Sequence, residues 1–235
     1  MAALTDYEKY IRTEELLALQ KAPEALICHD EMQFQIVHQA HELYMKLIAH
    51  ELGLAAKLLE AGDAARVVTT LRRVSTVQRV LLHSVDLLDT MAPTDYMTIR
   101  TGLGRGSGQE SPGFRTMLKL PGELVWPAFT AFLAKAGVTL REIYDEPHAH
   151  HHLFQVCEGL VDYDQLLQTW RYRHLMLVYR IIGTGTPSLK GKHSDLLAHG
   201  MKTRFFPALW DVRDDVFGDW TKAQAAQGHE TGYHG

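Results

Sequence analysis

Most of the chain repeats apolar residues at helical spacing, and the stretch from residue 29 to 52 carries three faces rather than two. Ile36, Ala40, Leu43 and Leu47 form an apolar stripe, which the pattern assigns to the core. Gln35, Gln39, Glu42 and Lys46 form a narrow polar row, assigned to solvent. On the third face Phe34, His38, His41 and Met45 follow at spacings of four, three and four, which puts an imidazole one turn from an aromatic ring on a mostly apolar surface. A histidine so placed is more often a hydrogen-bonded core residue than a ligand or a base, so this helix alone does not define a site.

The other periodic stretches frame it. Tyr7 and Tyr10 lie three apart, on one side of a short turn ahead of a helix expected at residues 12–20. Residues 64–91 place Val67, Leu71, Val74, Val77, Leu81 and Val85 near helical spacing, with Pro93 closing the run. Residues 94–115 hold five glycines, one proline and three arginines and read as a loop, either a mobile connection or a segment approaching something closely. GLGRG there is no dinucleotide fingerprint, because no strand precedes it. Helical spacing resumes at residues 123–136. In residues 170–183, Trp170, His174, Leu177, Val178 and Ile181 share a face, with Arg171, Arg173 and Arg180 pointing elsewhere. A neutral imidazole on a rigid helix is what an axial ligand of haem iron requires, and nearby arginines can pair with propionates, although core histidines are the commoner case. The aromatics of RFFPALWDVRDDV suggest docking onto the core. Residues 1–218 are expected to form a single domain and residues 219–235 a disordered tail.

Composition narrows the partners. A net charge of −4 gives no electrostatic case for nucleic acid or an anionic membrane, and the charged share of 22% is ordinary for a globular chain. No apolar run approaches a membrane span, and the N-terminus is too charged for a signal peptide. Cys28 and Cys157 form neither CxxC nor CxxCH, which argues against zinc ribbons, thioredoxin chemistry and covalent haem attachment, and fits a reduced cytoplasmic setting. His148, His150, His151 and His152 could bind a transition metal, but neighbours on a loop seldom converge on one ion.

Four motifs nevertheless stand in a recognisable order: HDEMQFQIVHQAHELYMKL; DY-x3-R ahead of SGxxS-x2-FR; WRYRH-x4-YRIIG; and RFFPALWDVR. In this order, from about Leu4 to Arg213, the chain resembles the tryptophan 2,3-dioxygenases of the haem-dependent aromatic oxygenase superfamily. The resemblance implies an all-α helical bundle enclosing one b-type haem, with His174 as proximal ligand of ferrous iron and O₂ as co-substrate. His38 would be the distal histidine near the indole N–H, and Phe34 would pack on the substrate ring. Tyr96 and Arg100 match positions that line the pocket and grip the amino-acid carboxylate, a role suited to a planar guanidinium. Ser107 and Gly108 match the loop closing beside the haem, and Trp170 is expected with it. Tyr7, Tyr10 and Ile11 match a segment that reaches into a neighbouring subunit's site, which implies a homotetramer or a dimer. The implied reaction is ring cleavage of L-tryptophan or a close derivative to an N-formylkynurenine-type product.

Three features depart from the family pattern. GTGTPSLKG stands where the family has GTGGSSG, leaving Thr184, Thr186 or Ser188 as the substrate-facing hydroxyl. SGQES replaces SGFQS, and the stretch from Arg100 to His174 is short. Superfamily relatives that insert one oxygen atom make a monooxygenase forming a 2-oxindole from a substituted tryptophan the competing expectation. A non-catalytic haem or indole-binding protein is another, and a metalloprotein built on the histidine run ranks last.

Overall fold

The computed structural model describes residues 3–104, 106, 108–184 and 203–227, and among these the regular elements are all helical. Two short helices, α1 (Asp6–Ile11) and α2 (Thr13–Leu17), lead into the long α3 (Glu31–Glu60). Thr5 caps α1 in a reciprocal box with Glu8, and Arg12 separates the two short helices in a left-handed conformation with φ of 55°. The single helix expected at residues 12–20 is therefore split and starts earlier.

At about 45 Å, α3 is one of three rods that form the frame. The second is α4 (Ala64–Leu88), turned back by Gly62 at φ 82° and started by Asp63, whose carboxylate accepts from Arg66 N–H at 3.1 Å. The third is α9 (His151–Ile182), which packs along α4. Ile48, Leu52 and Leu59 from α3, Leu71 and Leu81 from α4, and Leu160 and Tyr163 from α9 are fully buried between them. Gly159 lets α9 approach closely: a Cβ there would meet Leu71 at 3.0 Å.

The remaining helices close the ends. α5 (Pro93–Gly102) is followed by irregular chain and α6 (Pro112–Leu120), which runs through one π turn, Pro121–Val125, into α7 (Trp126–Ala136) and then α8 (Leu140–Asp145). Finally α10 (Pro207–Ala226) docks through Asp164 of α9. That buried carboxylate accepts from Phe205 N–H at 2.9 Å, Phe206 N–H at 3.2 Å and Trp210 Nε1–H at 3.0 Å. No helix among the described residues is long and apolar enough to cross a membrane.

Three expectations are corrected here. The stripe Ile36, Leu43, Leu47 is the outer face of α3, with exposures of 49%, 55% and 38%, whereas Val37, His41, Met45 and Ile48 face inward. The polar row is not simply solvated, because α4 and α6 flank α3 and the N-terminal segment lies against it: Gln35 accepts from Lys21 N–H at 3.0 Å and Gln39 from Gln20 Nε2 at 2.6 Å. Second, residues 93–102 are helix rather than loop, since Pro93 suits a first turn and no glycine interrupts the chain before Gly102. Third, residues 219–226, expected in the tail, continue α10, and Arg141 of α8 binds Asp219 at 2.6 Å.

Candidate active site

The inner face of α3, the C-terminal half of α9 and the start of α6 enclose a cavity of about 260 Å³. α3 contributes His38, His41, Glu42 and Met45, which its helical pitch places on adjoining turns. α9 contributes Trp170, Arg171 and His174 in the same way. Ser111 and Phe114 come from the first turn of α6, Gly108 from the turn before it, and Leu88 from the end of α4.

Aromatic rings run in a chain that starts at Phe34, behind His38, and continues along the wall. Phe34 and His38 have centroids 4.1 Å apart, His38 and His41 6.2 Å, and His41 meets the edge of Trp170 at 6.0 Å. Trp170 stacks on His174 at 5.5 Å with 20° between the planes, and Phe114 lies 5.6 Å from Trp170. The two imidazoles predicted from separate helices are thus brought to one cavity.

Hydrogen bonds assign the tautomers of the two α3 histidines. His38 Nδ1 lies 2.7 Å from the Phe34 carbonyl, which only accepts, so Nδ1 carries the proton and Nε2 is the lone pair. His41 Nε2 lies 2.6 Å from Ser84 Oγ. The Ser84 hydroxyl donates to the Leu81 carbonyl at 2.7 Å, so it accepts from His41 Nε2–H and leaves Nδ1 unprotonated. Burial holds both rings neutral. It lowers the pKa of His38 against the opposing pull of the Phe34 carbonyl and the Glu42 carboxylate. It brings His41 to about 4, with repulsion from His38 and His174 adding to the effect. His174 is brought to about 4 as well, by burial first and His38 second. A neutral ring on the rigid α9 is competent to bind a metal through its free nitrogen.

The wall also fits a planar, carboxylate-bearing macrocycle. His174 can supply a nitrogen to its iron, and Trp170 and Phe114 a flat apolar surface. Among the described residues no group of three or more His, Cys, Asp or Glu side chains is placed to hold a bare ion. His148 and His150 lie in the turn before α9, and His151 and His152 open the helix on its exposed side.

Phe34, Tyr96 and Arg100 are not among the residues that line the cavity. The Tyr96 ring is 6.3 Å from Phe34, and burial raises its phenol pKa while neighbouring Arg100 opposes the rise. Tyr7 and Tyr10 are 69% and 89% exposed on α1, and Ile11 is exposed beside them. Thr184 is exposed just beyond α9, and Ser107, Thr186 and Ser188 lie outside the described residues.

Glu42 and Ser111 line the cavity although neither carried a role of its own in the sequence. Glu42 accepts from Gly113 N–H at 3.0 Å and from Ser111 Oγ, which itself caps α6 through Phe114 N–H at 3.0 Å. The Ser-Pro-Gly run at 111–113 is a helix-start signature that marks this junction. A Cβ on Gly113 would lie 2.8 Å from both Glu42 Oε2 and Met45 Cβ, so only glycine permits the approach. Arg171, expected to point away, faces the cavity, whereas Arg173 points out to Asp86 and Asp89 at 2.7 and 2.8 Å.

Residues 1–124, which span α1 to α6, match the family model for tryptophan 2,3-dioxygenase. The tryptophan 2,3-dioxygenase of Caulobacter vibrioides is 34% identical over 91% of this chain and 99% of its own length. The corresponding enzymes of Erythrobacter litoralis and Myxococcus xanthus are 33% and 31% identical, each over 92% of this chain and over 100% and 91% of their own lengths. The chain belongs to the tryptophan 2,3-dioxygenase family. As a member of that family it is an oxygenase with an all-α fold. The Caulobacter alignment extends over 263 positions while taking in 91% of this 235-residue chain, so it includes positions at which this chain has no residue.

Proposed function

We propose that the protein is a haem-dependent oxygenase that oxidises the indole C2=C3 bond of L-tryptophan or a close derivative, placing both atoms of O₂ in an N-formylkynurenine-type product. The observation that carries this reading is the neutral His174 imidazole on the aromatic wall it shares with His38. Ferrous haem b, held through His174, supplies the activation of O₂. What remains for the protein is position and exclusion of water.

In this reading Phe34 packs against the indole ring, and His38 Nε2, unprotonated because Nδ1 is committed to the Phe34 carbonyl, accepts the indole N–H. Arg100 takes the amino-acid carboxylate beside Tyr96. Thr184 or Thr186 contacts the ammonium end, and Ser107 and Gly108 close over the haem. The exposed Tyr7, Tyr10 and Ile11, together with the bare Ile36, Leu43 and Leu47 stripe, favour a homo-oligomer in which α1 of one copy completes the site of the next; a homotetramer suits the family. The enzyme would work in the cytoplasm.

Turnover under ¹⁸O₂ with mass spectrometry of the product tests the reaction. Two labelled atoms in a ring-opened product are expected. One labelled atom in a 2-oxindole, with a need for external reductant, would replace the dioxygenase reading with a monooxygenase, and absence of product from ferrous protein would leave a binding protein.

A further inference from the structure

α6 begins on α3, and its opening turn has one donor that the turn itself does not satisfy. Pro112 has no N–H, the Phe114 N–H goes to Ser111 Oγ at 3.0 Å, and the Arg115 N–H goes to the Ser111 carbonyl at 3.1 Å. The remaining Gly113 N–H is taken by Glu42 at 3.0 Å, and the same carboxylate accepts from the Ser111 hydroxyl. Glu42 is the only acid among the described residues that line the cavity, and it stands one turn beyond His38 on α3. A carboxylate on a wall of aromatic rings costs free energy unless its oxygens are bonded, and the start of a helix supplies both donors and a dipole that favours negative charge. The seat is close-fitting, because a Cβ on Gly113 would lie 2.8 Å from both Glu42 Oε2 and Met45 Cβ. What rests on this seat belongs to the site. Gly108, Ser111 and Phe114 reach the cavity from the junction, and the Phe114 ring lies 5.6 Å from Trp170, which stacks on His174.

We infer that Glu42 is a positioning residue of the oxygenase site: by anchoring the first turn of α6 on α3, it sets the Phe114 ring against Trp170 and keeps the α6 side of the cavity in register with His38. Both carboxylate oxygens accept from the start of α6, so Glu42 acts through that helix rather than on a ligand. The inference rests on the oxygenase reading for what the cavity binds, and not for the anchor itself.

The test separates anchoring from charge. Glu42→Gln keeps an acceptor for the Gly113 N–H and offers an amide donor to Ser111 Oγ, whereas Glu42→Met fills similar space and keeps neither. In the apoprotein, exchange of the Gly113 and Phe114 amides should quicken by roughly 10- to 100-fold in Glu42→Met, the range for losing a hydrogen bond to a charged group, and by much less in Glu42→Gln. The indole resonances of Trp170, assigned with Trp170→Phe, should move in Glu42→Met and return towards their wild-type positions in Glu42→Gln. In haem-loaded protein, affinities for L-tryptophan and for indole-3-propionate, which lacks the ammonium, should fall together in Glu42→Met and be largely restored in Glu42→Gln. Unaltered exchange in Glu42→Met overturns the anchor. Faster exchange with the Trp170 resonances and both affinities unchanged reduces the bond to a stability contact and overturns the positioning role. A loss in Glu42→Gln as large as in Glu42→Met, and for tryptophan alone, overturns it in favour of direct contact with the ammonium. Wild-type protein that takes up no haem refutes the oxygenase reading instead, and the Trp170 resonances then decide Glu42 by themselves. Should Glu42→Met fail to fold, Ser111→Ala removes one of the two bonds and gives the same comparison at smaller amplitude.

Discussion

Lowering the pH from 7 to 5 should destabilise the ligand-free protein by a large fraction of its folding free energy, through the cavity histidines. His41 and His174 have pKa values lowered from 6.5 to about 4. At pH 5 both are neutral when folded and almost fully protonated when unfolded, so the unfolded state binds more protons and stability falls as pH drops. The loss begins near 6.5 and is complete below 4. With about 1.36 kcal/mol per pH unit, each ring contributes about 2 kcal/mol of destabilisation by pH 5, and the pair about 4, against a typical total of about 5–15. His38, shifted down by burial, adds in the same direction. Asp164 acts oppositely, since burial raises its pKa and the folded state then binds the proton more tightly. Urea unfolding at half-unit steps from pH 7 to 5 gives the slope, and His41→Gln, which retains an amide N–H for Ser84, should remove nearly half of it. A wild-type curve flat between 6.5 and 5, or a variant of equal slope, would refute the argument that three imidazoles share one desolvated space.

Other perturbations separate the site from its scaffold. His174→Ala should abolish the Soret band of haem-reconstituted protein, and a variant that keeps a normal band is not missing the iron ligand. Arg100→Ala should weaken tryptophan binding, measured by calorimetry on haem-loaded protein, by roughly 2–5 kcal/mol, the scale for truncating one partner of a buried charge pair. Gly113→Ala should cost about 1–3 kcal/mol in urea unfolding, because its Cβ would lie 2.8 Å from Met45 Cβ and Glu42 Oε2. Asp164→Ala should cost about 3–5 kcal/mol and expose the Phe205 and Phe206 amides to hydrogen exchange, with Asp164→Asn costing less because it keeps an acceptor.

Periodicity made α3 and α4 legible, since their spacing repeats many times, but of α9 it showed only the part from residue 170 on. It also put His38 on one functional face and His174 on another, and the motif order brought them together. It failed on the orientation of α3. Ile36, Leu43 and Leu47 look like a core stripe because hydropathy records what a face is made of, not what stands beside it; burial is set by α4 and α6, which the local pattern cannot see. Arg171 was misplaced for a related reason. Arginine on a helix reads as solvated, and only the cavity that α9 encloses together with α3 and α6 shows Arg171 on its wall. The bond between Glu42 and the first turn of α6 spans 71 residues of sequence, a separation at which no periodic signal survives. The helix at 93–102 was hidden by glycines that begin only at its last residue.

In the homo-oligomer proposed above, the outward stripe of α3 makes concentration a variable of the chemistry. One rigid helix presents His38 and His41 to the cavity and Ile36, Leu43 and Leu47 to the exterior, with a single helix diameter between them. Any surface that settles on the outer stripe bears on the rod that holds the imidazoles, and any dilution that uncovers it relieves that load. In the proposed assembly, specific activity is therefore not a property of the lone chain, and the rate per chain measured at nanomolar protein should differ from that measured at micromolar.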